Sequence, residues 1–238
     1  MTSPNEIYRY SIIGTLAQGL CGDGLPVAQL LPKGDHSLGT LARLDGDVTI
    51  IGGHAYQFTS SGGARELEPR DITPFLMTTH FRPMKTVTLP HLRNETLLDV
   101  ILNLCPGSTN AFLAIRIEGH FPKIKYCVAG PQRRPGETMT GVVQRQTVGL
   151  FENQRGIVFG FFSPEFTNVF SVVGLHLHFL SDDRKVGGHT LQFDAVDAEL
   201  SVAVVRKYTV HLPETEEFGS EVIVEPDREV IIGRAEGM

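Results

Sequence analysis

The sequence carries no basic excess, no apolar run of membrane length and no cysteine framework. Its 21 Lys and Arg stand against 27 Asp and Glu, a net charge of -6. That balance argues against nucleic acid as a partner, which would call for a basic face. No apolar stretch reaches the roughly 20 residues that cross a bilayer, so no membrane association is expected. The opening MTSPNEIYRYS lacks the basic segment and apolar core of a secretory signal. Three cysteines, Cys21, Cys105 and Cys127, are odd in number and irregularly spaced. Reduced thiols in a cytoplasmic protein are the expectation. No repeat, low-complexity tract or linker is present. One unit over residues 1–238 is expected, divisible at most into subdomains of about 1–108 and 109–238.

What is present reads mostly as strand. Hydrophobic residues make up 41% and charged residues 20%, ordinary for a globular chain of this length, while 25 Gly and 14 Pro favour many turns. DVTIIGG, HAYQFTS, KTVTLP, NAFLAIRIEGHF, GIVFGFF, FSVVGLHLHFL, HTLQF and AELSVAVVRKYTVHL are short β-like runs, several with period-two alternation. In 111–117 the alternation predicts Ala111, Leu113, Ile115 and Ile117 on one face, with Phe112, Ala114 and Arg116 on the other. The clearest helix is 95–104, capped by Asn94, with Leu97, Leu98, Ile101 and Leu104 as its apolar stripe. Shorter helices are expected near 137–146, 11–18 and 26–31, and loops over 59–74 and 214–238. The fold class is α+β and β-rich, a mixed β-sheet continuing into a barrel-like set of strands with a few covering helices.

The stretch GLHLHFLSDDRKVGGH, residues 174–189, concentrates three histidines. In a strand, residues i and i+2 share a face. His176 and His178 then lie on one side, while Leu175, Leu177 and Phe179 take the apolar side. SDDRKVGG is a turn sequence, and His189 opens the return strand near the same face. Three neutral imidazoles from paired strands can fill three of zinc's four tetrahedral positions and leave one open, the catalytic arrangement. A His-x-His pair alone is better explained by unrelated core and surface residues; the third histidine on the return strand tips the balance to a metal. A cupin site also starts with His-x-His, but it expects a carboxylate in a glycine-framed motif, and Asp182 and Asp183 in the turn fit that badly. His36, His54, His80, His91, His120 and His211 show no ligand spacing. Glu214, Glu216 and Glu217 read as a solvated acidic run.

LHLHFLSDDRKVGGH also resembles the zinc-binding segment of the bacterial α-acetolactate decarboxylases, YHLHF…GGH, with the same spacing. The resemblance extends through IYRYSIIGTLAQGLCGDG, GDHSLGTLARLDGD, HAYQF, TPFLMTTHF, NAFLAIRIEGHF, PQRRP and LPETEEF, nearly the whole chain. It implies a two-part α+β fold, a homodimer and a Zn2+ cofactor on His176, His178 and His189. It also implies active-site roles for Thr40, for Asp47 in place of the family's glutamate, and for Glu236 near the C-terminus. Cys127 stands where the family has an active-site arginine; if 124–128 is a strand, Lys125 shares its face.

The activity implied is a lyase reaction on a small hydroxy-keto acid. The metal would chelate a 2-hydroxy-3-oxo acid and stabilise the enediolate left by CO2 loss, and Asp47 and Glu236 would handle the proton. Because the departures touch substrate contacts and spare the ligands, an α-ketol isomerase, a retro-aldolase or a hydrolase on another hydroxy-ketone is the alternative. A non-catalytic metal-binding protein is the third reading. Cys127 itself reads better as a pocket-lining residue than as nucleophile or extra ligand.

Overall fold

The computed structural model describes residues 5–224; residues 1–4 and 225–238, Glu236 among them, lie outside the described residues. The strands are β1 (Ile7–Tyr10), β2 (Leu25–Pro26), β3 (His36–Thr40), β4 (Asp47–Ile51), β5 (His54–Phe58), β6 (Ala64–Glu66) and β7 (Ile72–Thr73). They continue as β8 (Phe75–Thr79), β9 (Lys85–Arg93), β10 (Phe112–Val128), β11 (Thr147–Ser163), β12 (Gly174–Ser181), β13 (Gly187–Val205) and β14 (Tyr208–His211). The helices are α1 (Ile13–Ala17), α2 (Val27–Leu30), α3 (Asn94–Leu104), α4 (Met139–Val143) and α5 (Glu216–Ser220).

Seven strands form one mixed sheet in the order β14-β1-β8-β3-β4-β5-β6, antiparallel except where β1 runs parallel to β14. The second sheet runs β10-β11-β12-β13-β9, and β10 also pairs with β13, so four long strands close into a ring. Closure leaves β9 as that sheet's open edge. The β-rich fold with barrel-like strands is therefore as the sequence implied. Two strands cross the 108/109 boundary: β9 joins the second sheet and β14 the first.

The ring interior is apolar. Leu113, Ile115, Ile117, Phe121, Ile124, Leu177, Phe179, Phe193 and Leu200 fill it, and Leu97 and Ile101 of α3 pack against them. The outer face of the same strands is also covered. Phe112, Ala114, Phe159, Phe161, Ala203 and Val205 meet Ile7, Leu38, Ile51, Phe58 and Met77 of the seven-stranded sheet. Both faces of 112–115 are thus buried, where period-two reading expected one buried face. On the far side of the seven-stranded sheet, α2 buries Val27 and Leu30 on Val48, Ile50 and Leu76.

The helices depart from expectation mainly at their ends. The N-cap of α3 is Arg93, with no side-chain bond, and Asn94 is its first helical residue. The helix expected near 137–146 contracts to Met139–Val143. The segment 59–74 holds two short strands, β6 and β7, and 214–224 holds α5, capped by the Thr215 hydroxyl accepting from Phe218 N–H at 3.2 Å.

Candidate metal centre

The site lies between the two sheets, on the face of β12 that turns away from the apolar ring interior. Alternation sends Leu177 and Phe179 into the ring and His176 and His178 towards the seven-stranded sheet. The turn after β12 closes as the Ser181 N–H donates to the Val186 carbonyl at 3.0 Å. Asp183 helps to fix it, accepting from the Ser181 hydroxyl at 2.8 Å. The return strand then sets His189 directly opposite His178. Gly188 makes this approach possible. Its φ is +141°, and an added Cβ would stand 2.8 Å from Val128 Cγ2.

The three imidazoles are all buried, and their candidate ligand atoms lie within 4.8 Å of one another. Ring centroids are 5.5 Å apart for His176 and His178, 5.0 Å for His176 and His189, and 5.6 Å for His178 and His189. One ion fits this spacing, and a set of imidazoles suits a borderline cation better than Mg2+ or Ca2+, which want oxygen donors. The sequence-predicted triad is therefore assembled as a cluster that could hold a metal.

β4 supplies the polar wall. Val48 and Ile50 face the covering helix, so Asp47, Thr49 and Ile51 face the ring sheet. Asp47 is fully buried, and its Oδ2 accepts the backbone N–H of His189 at 3.1 Å, a contact 142 residues apart in sequence. A buried carboxylate bonded to the ligand strand fixes that strand relative to β4. Thr49, missed in the sequence, places its Oγ1 3.4 Å from Nδ1 of His178. Such a contact on Nδ1 fits Nε2 as the ligand nitrogen, since the second ring nitrogen of a metal-bound histidine is normally held by a neighbour. The signal for Thr49 was present: it lies two residues beyond Asp47 in an alternating strand.

Thr40 pairs with Asp47 across β3 and β4, and its buried hydroxyl donates to the Gly46 carbonyl at 2.7 Å. The connection between them is forced into consecutive left-handed residues, Arg43 at φ +61° and Leu44 at φ +57°. It is clamped from outside: Gln57 Nε2 donates to the Asp45 carbonyl at 2.6 Å, and Gln132 N–H to the Arg43 carbonyl at 2.8 Å. Strain held by surrounding bonds is common where a loop presents functional groups.

Cys127 is fully buried and stands directly opposite His189 across β10 and β13. Lys125 has the same parity, yet it lines an open groove of about 470 Å³ with Lys123, Val148, Leu150, Gln192 and Asp194. Of the other expected site residues, Glu236 lies outside the described residues. His36 is buried too but stands apart, stacked on Phe81 with centroids 4.8 Å apart and edged by Phe159 and Phe161. Burial pushes its pKa down to about 4, partly offset by the bond of Nε2 to the Gly160 carbonyl at 3.3 Å. His54 pairs with Glu66 at 2.8 Å, and His211 with the Tyr8 hydroxyl at 2.7 Å. These are structural contacts, as their spacing suggested.

Among the described residues, no helix is long and apolar enough to cross a membrane. The sequence pattern of the family described as Alpha-acetolactate decarboxylase matches residues 7–225. The chain is 33% identical over 214 residues to an alpha-acetolactate decarboxylase of Brevibacillus brevis, covering 90% of this chain and 75% of that one. It is 29% identical over 233 residues to that of Bacillus subtilis strain 168, covering 98% and 91%. The crystal structure of the Bacillus subtilis strain 168 protein superimposes with a TM-score of 0.91 at 30% identity, covering 98% of this chain and 100% of that one. A Staphylococcus aureus protein, described as of unknown function and similar to alpha-acetolactate decarboxylase, superimposes equally well, at 0.91 and 28% identity. The match spans both sheets and the histidine hairpin alike, and the chain belongs to the alpha-acetolactate decarboxylase family.

Proposed function

We propose that this protein is a zinc-dependent carboxy-lyase that decarboxylates acetolactate to acetoin. The reading takes it as one folding unit, a cytoplasmic homodimer acting on a small hydroxy-keto acid. The observation that carries it is the convergence of His176, His178 and His189 within 4.8 Å, inside a family match over residues 7–225. Zinc, when bound by these three, supplies Lewis-acid stabilisation of the negative charge that develops on substrate oxygens.

The chain's own residues do the rest. Asp47, bonded to the His189 N–H at 3.1 Å, keeps a carboxylate beside the cluster and can hold or deliver the proton that replaces CO2. As an aspartate it reaches one methylene less far than glutamate would. The strained 41–46 connection and its clamps set where that shorter side chain starts. Thr40 fixes the mouth of the connection through its bond to Gly46. Glu236 would share the proton handling from the C-terminal segment, as the resemblance implies. Burial of the whole wall excludes water that would compete for the carbanionic carbon.

A second reading is favoured by one observation, the thiol of Cys127 opposite His189. A neutral side chain there removes a bidentate cation from the site, which suits a hydroxy-ketone with other polar groups and an isomerase, retro-aldolase or hydrolase reaction. One experiment separates the two. Metal-loaded native protein is given acetolactate, and acetoin is measured beside the Cys127→Arg variant. Acetoin from the native protein supports the decarboxylase. Acetoin from the variant alone shows that the substrate has changed, and none from either, with metal bound, overturns the carboxy-lyase reading.

A further inference from the structure

His178 is a cluster histidine whose ring is met by a polar atom from the opposite sheet. Thr49 Oγ1 lies 3.4 Å from its Nδ1, with Thr49 0% and His178 1% exposed. The surroundings of that hydroxyl are otherwise hydrocarbon and aromatic. Thr49 pairs with Leu38 across β3 and with Tyr56 across β5, both in the apolar layer between the sheets. Phe159 edges the His178 ring, with centroids 6.4 Å apart. A strand accepts Val as readily as Thr, and the two side chains have nearly the same shape. The atom that separates them is Oγ1, and burying it in such a layer costs free energy unless it is bonded. Among the described residues, the partner of that oxygen is the His178 imidazole.

The chemistry of the ring decides what this contact does. With the proton on Nδ1, the ring donates to Thr49, and Nε2 keeps its lone pair for a cation. With the proton on Nε2, the hydroxyl donates to Nδ1, and neither nitrogen can ligate. Only the first state leaves His178 a lone pair to give while the contact stands. The register extends the hold. His178 stands directly opposite His189, whose N–H is taken by Asp47, two residues before Thr49 on β4. Successive inward residues of β4 thus hold both members of the opposed pair, one through its ring and the other through its backbone. The spacing of two ligands in one sheet is set by a strand of the other.

We propose that Thr49 is a positioning residue of the metal centre, accepting the Nδ1 proton of His178 so that Nε2 is turned to the cation. The proposal rests on the metal reading above and concerns affinity, with no part in proton transfer to substrate. A partner of this kind is worth about 10- to 100-fold in metal affinity. At 3.4 Å the contact is long for a hydrogen bond, so the lower end of that range is expected.

The test measures zinc affinity of the full-length protein by competition with a chromophoric chelator, beside the visible spectrum of the cobalt-loaded protein. Thr49→Val, which keeps the shape and removes Oγ1, should bind zinc about 10-fold more weakly and shift the cobalt spectrum. Thr49→Ser, which keeps the hydroxyl and loses the methyl, should recover most of that loss. Where Thr49→Val does not fold, Thr49→Ser and Thr49→Ala give the same comparison, with serine the tighter by about 10-fold. Unchanged zinc affinity in Thr49→Val overturns the proposal. Equal weakening in the valine and serine variants, or in serine and alanine, overturns it too, since packing would then explain the effect. Native protein that takes up no zinc overturns the metal centre itself. Absence of acetoin formation with zinc bound sinks the lyase reading alone and leaves the role of Thr49 standing.

Discussion

Two sets of buried imidazoles occupy the same layer between the sheets, and they serve opposite ends. His36 is enclosed by Phe81, Phe159 and Phe161, with its Nε2 bonded to the Gly160 carbonyl. His176, His178 and His189 face one another, with Thr49 and Asp47 on the opposing strand bonded to the histidine hairpin. Burial is the same, 1% exposure for His36 and for His178. What differs is convergence and polar support. A histidine surrounded by hydrocarbon is a neutral packing residue; three that meet before a polar wall form a place for a cation.

The largest expected effect breaks that comparison outright. His178→Ala should reduce stoichiometric metal binding to background and abolish acetoin formation with it. The drop in affinity should exceed the roughly 10- to 100-fold that losing a supporting partner costs. His36→Leu, in the same layer, should keep both. Metal content by atomic absorption and an acetoin assay on the two variants decide it. Full metal content in His178→Ala would mean that the cluster is not the centre.

Asp47 sharpens the contrast, because it has two separable tasks. Asp47→Asn keeps an acceptor for the His189 N–H and removes the acid, so the fold should hold while acetoin formation falls about 10²- to 10⁴-fold. Asp47→Ala additionally strands a buried N–H, at a cost of about 1–3 kcal/mol in stability. Chemical denaturation and acetoin kinetics of both variants test this. Equal activity in native protein and Asp47→Asn would remove the carboxylate from the chemistry.

The hairpin was legible in the sequence because its information is local. Period two puts His176 and His178 on one face, and a turn sequence brings His189 back. The wall was not legible from pattern, because the contact of Asp47 with His189 spans 142 residues and depends on how two sheets stack. Stacking also explains the second buried face of 112–115: alternation divides these residues correctly between two faces but signals only one as buried, and here a second sheet covers the other. Thr49 could have been found from the same alternation that places Asp47. The burial of Arg9 could not, since IYRY reads as an ordinary alternating strand and nothing in it marks an arginine that is 1% exposed. The helix starts failed by a residue or two, as with Asn94, where capping by a side chain was expected and Arg93 caps without one.

The smallest expected effect concerns His36 and makes the comparison quantitative. Burial holds its folded pKa near 4, against 6.5 for an ordinary histidine. The folded state therefore keeps the ring neutral in a range where the unfolded chain takes up a proton. Its contribution to stability is complete above about pH 6.5 and is lost as pH falls towards 4, by at most about 1.4 kcal/mol per pH unit and roughly 3 kcal/mol in all. His36→Leu removes that proton uptake. At neutral pH the variant should be less stable by about 1 kcal/mol through the lost bond to Gly160, and the gap should close and then invert as pH falls from 6.5 to 4.5. Urea unfolding of native protein and variant at several pH values, both metal-free, measures it. Parallel stability curves would mean that His36 is solvated or charged in the folded state. The two sets of imidazoles would then not be divided by their surroundings as described.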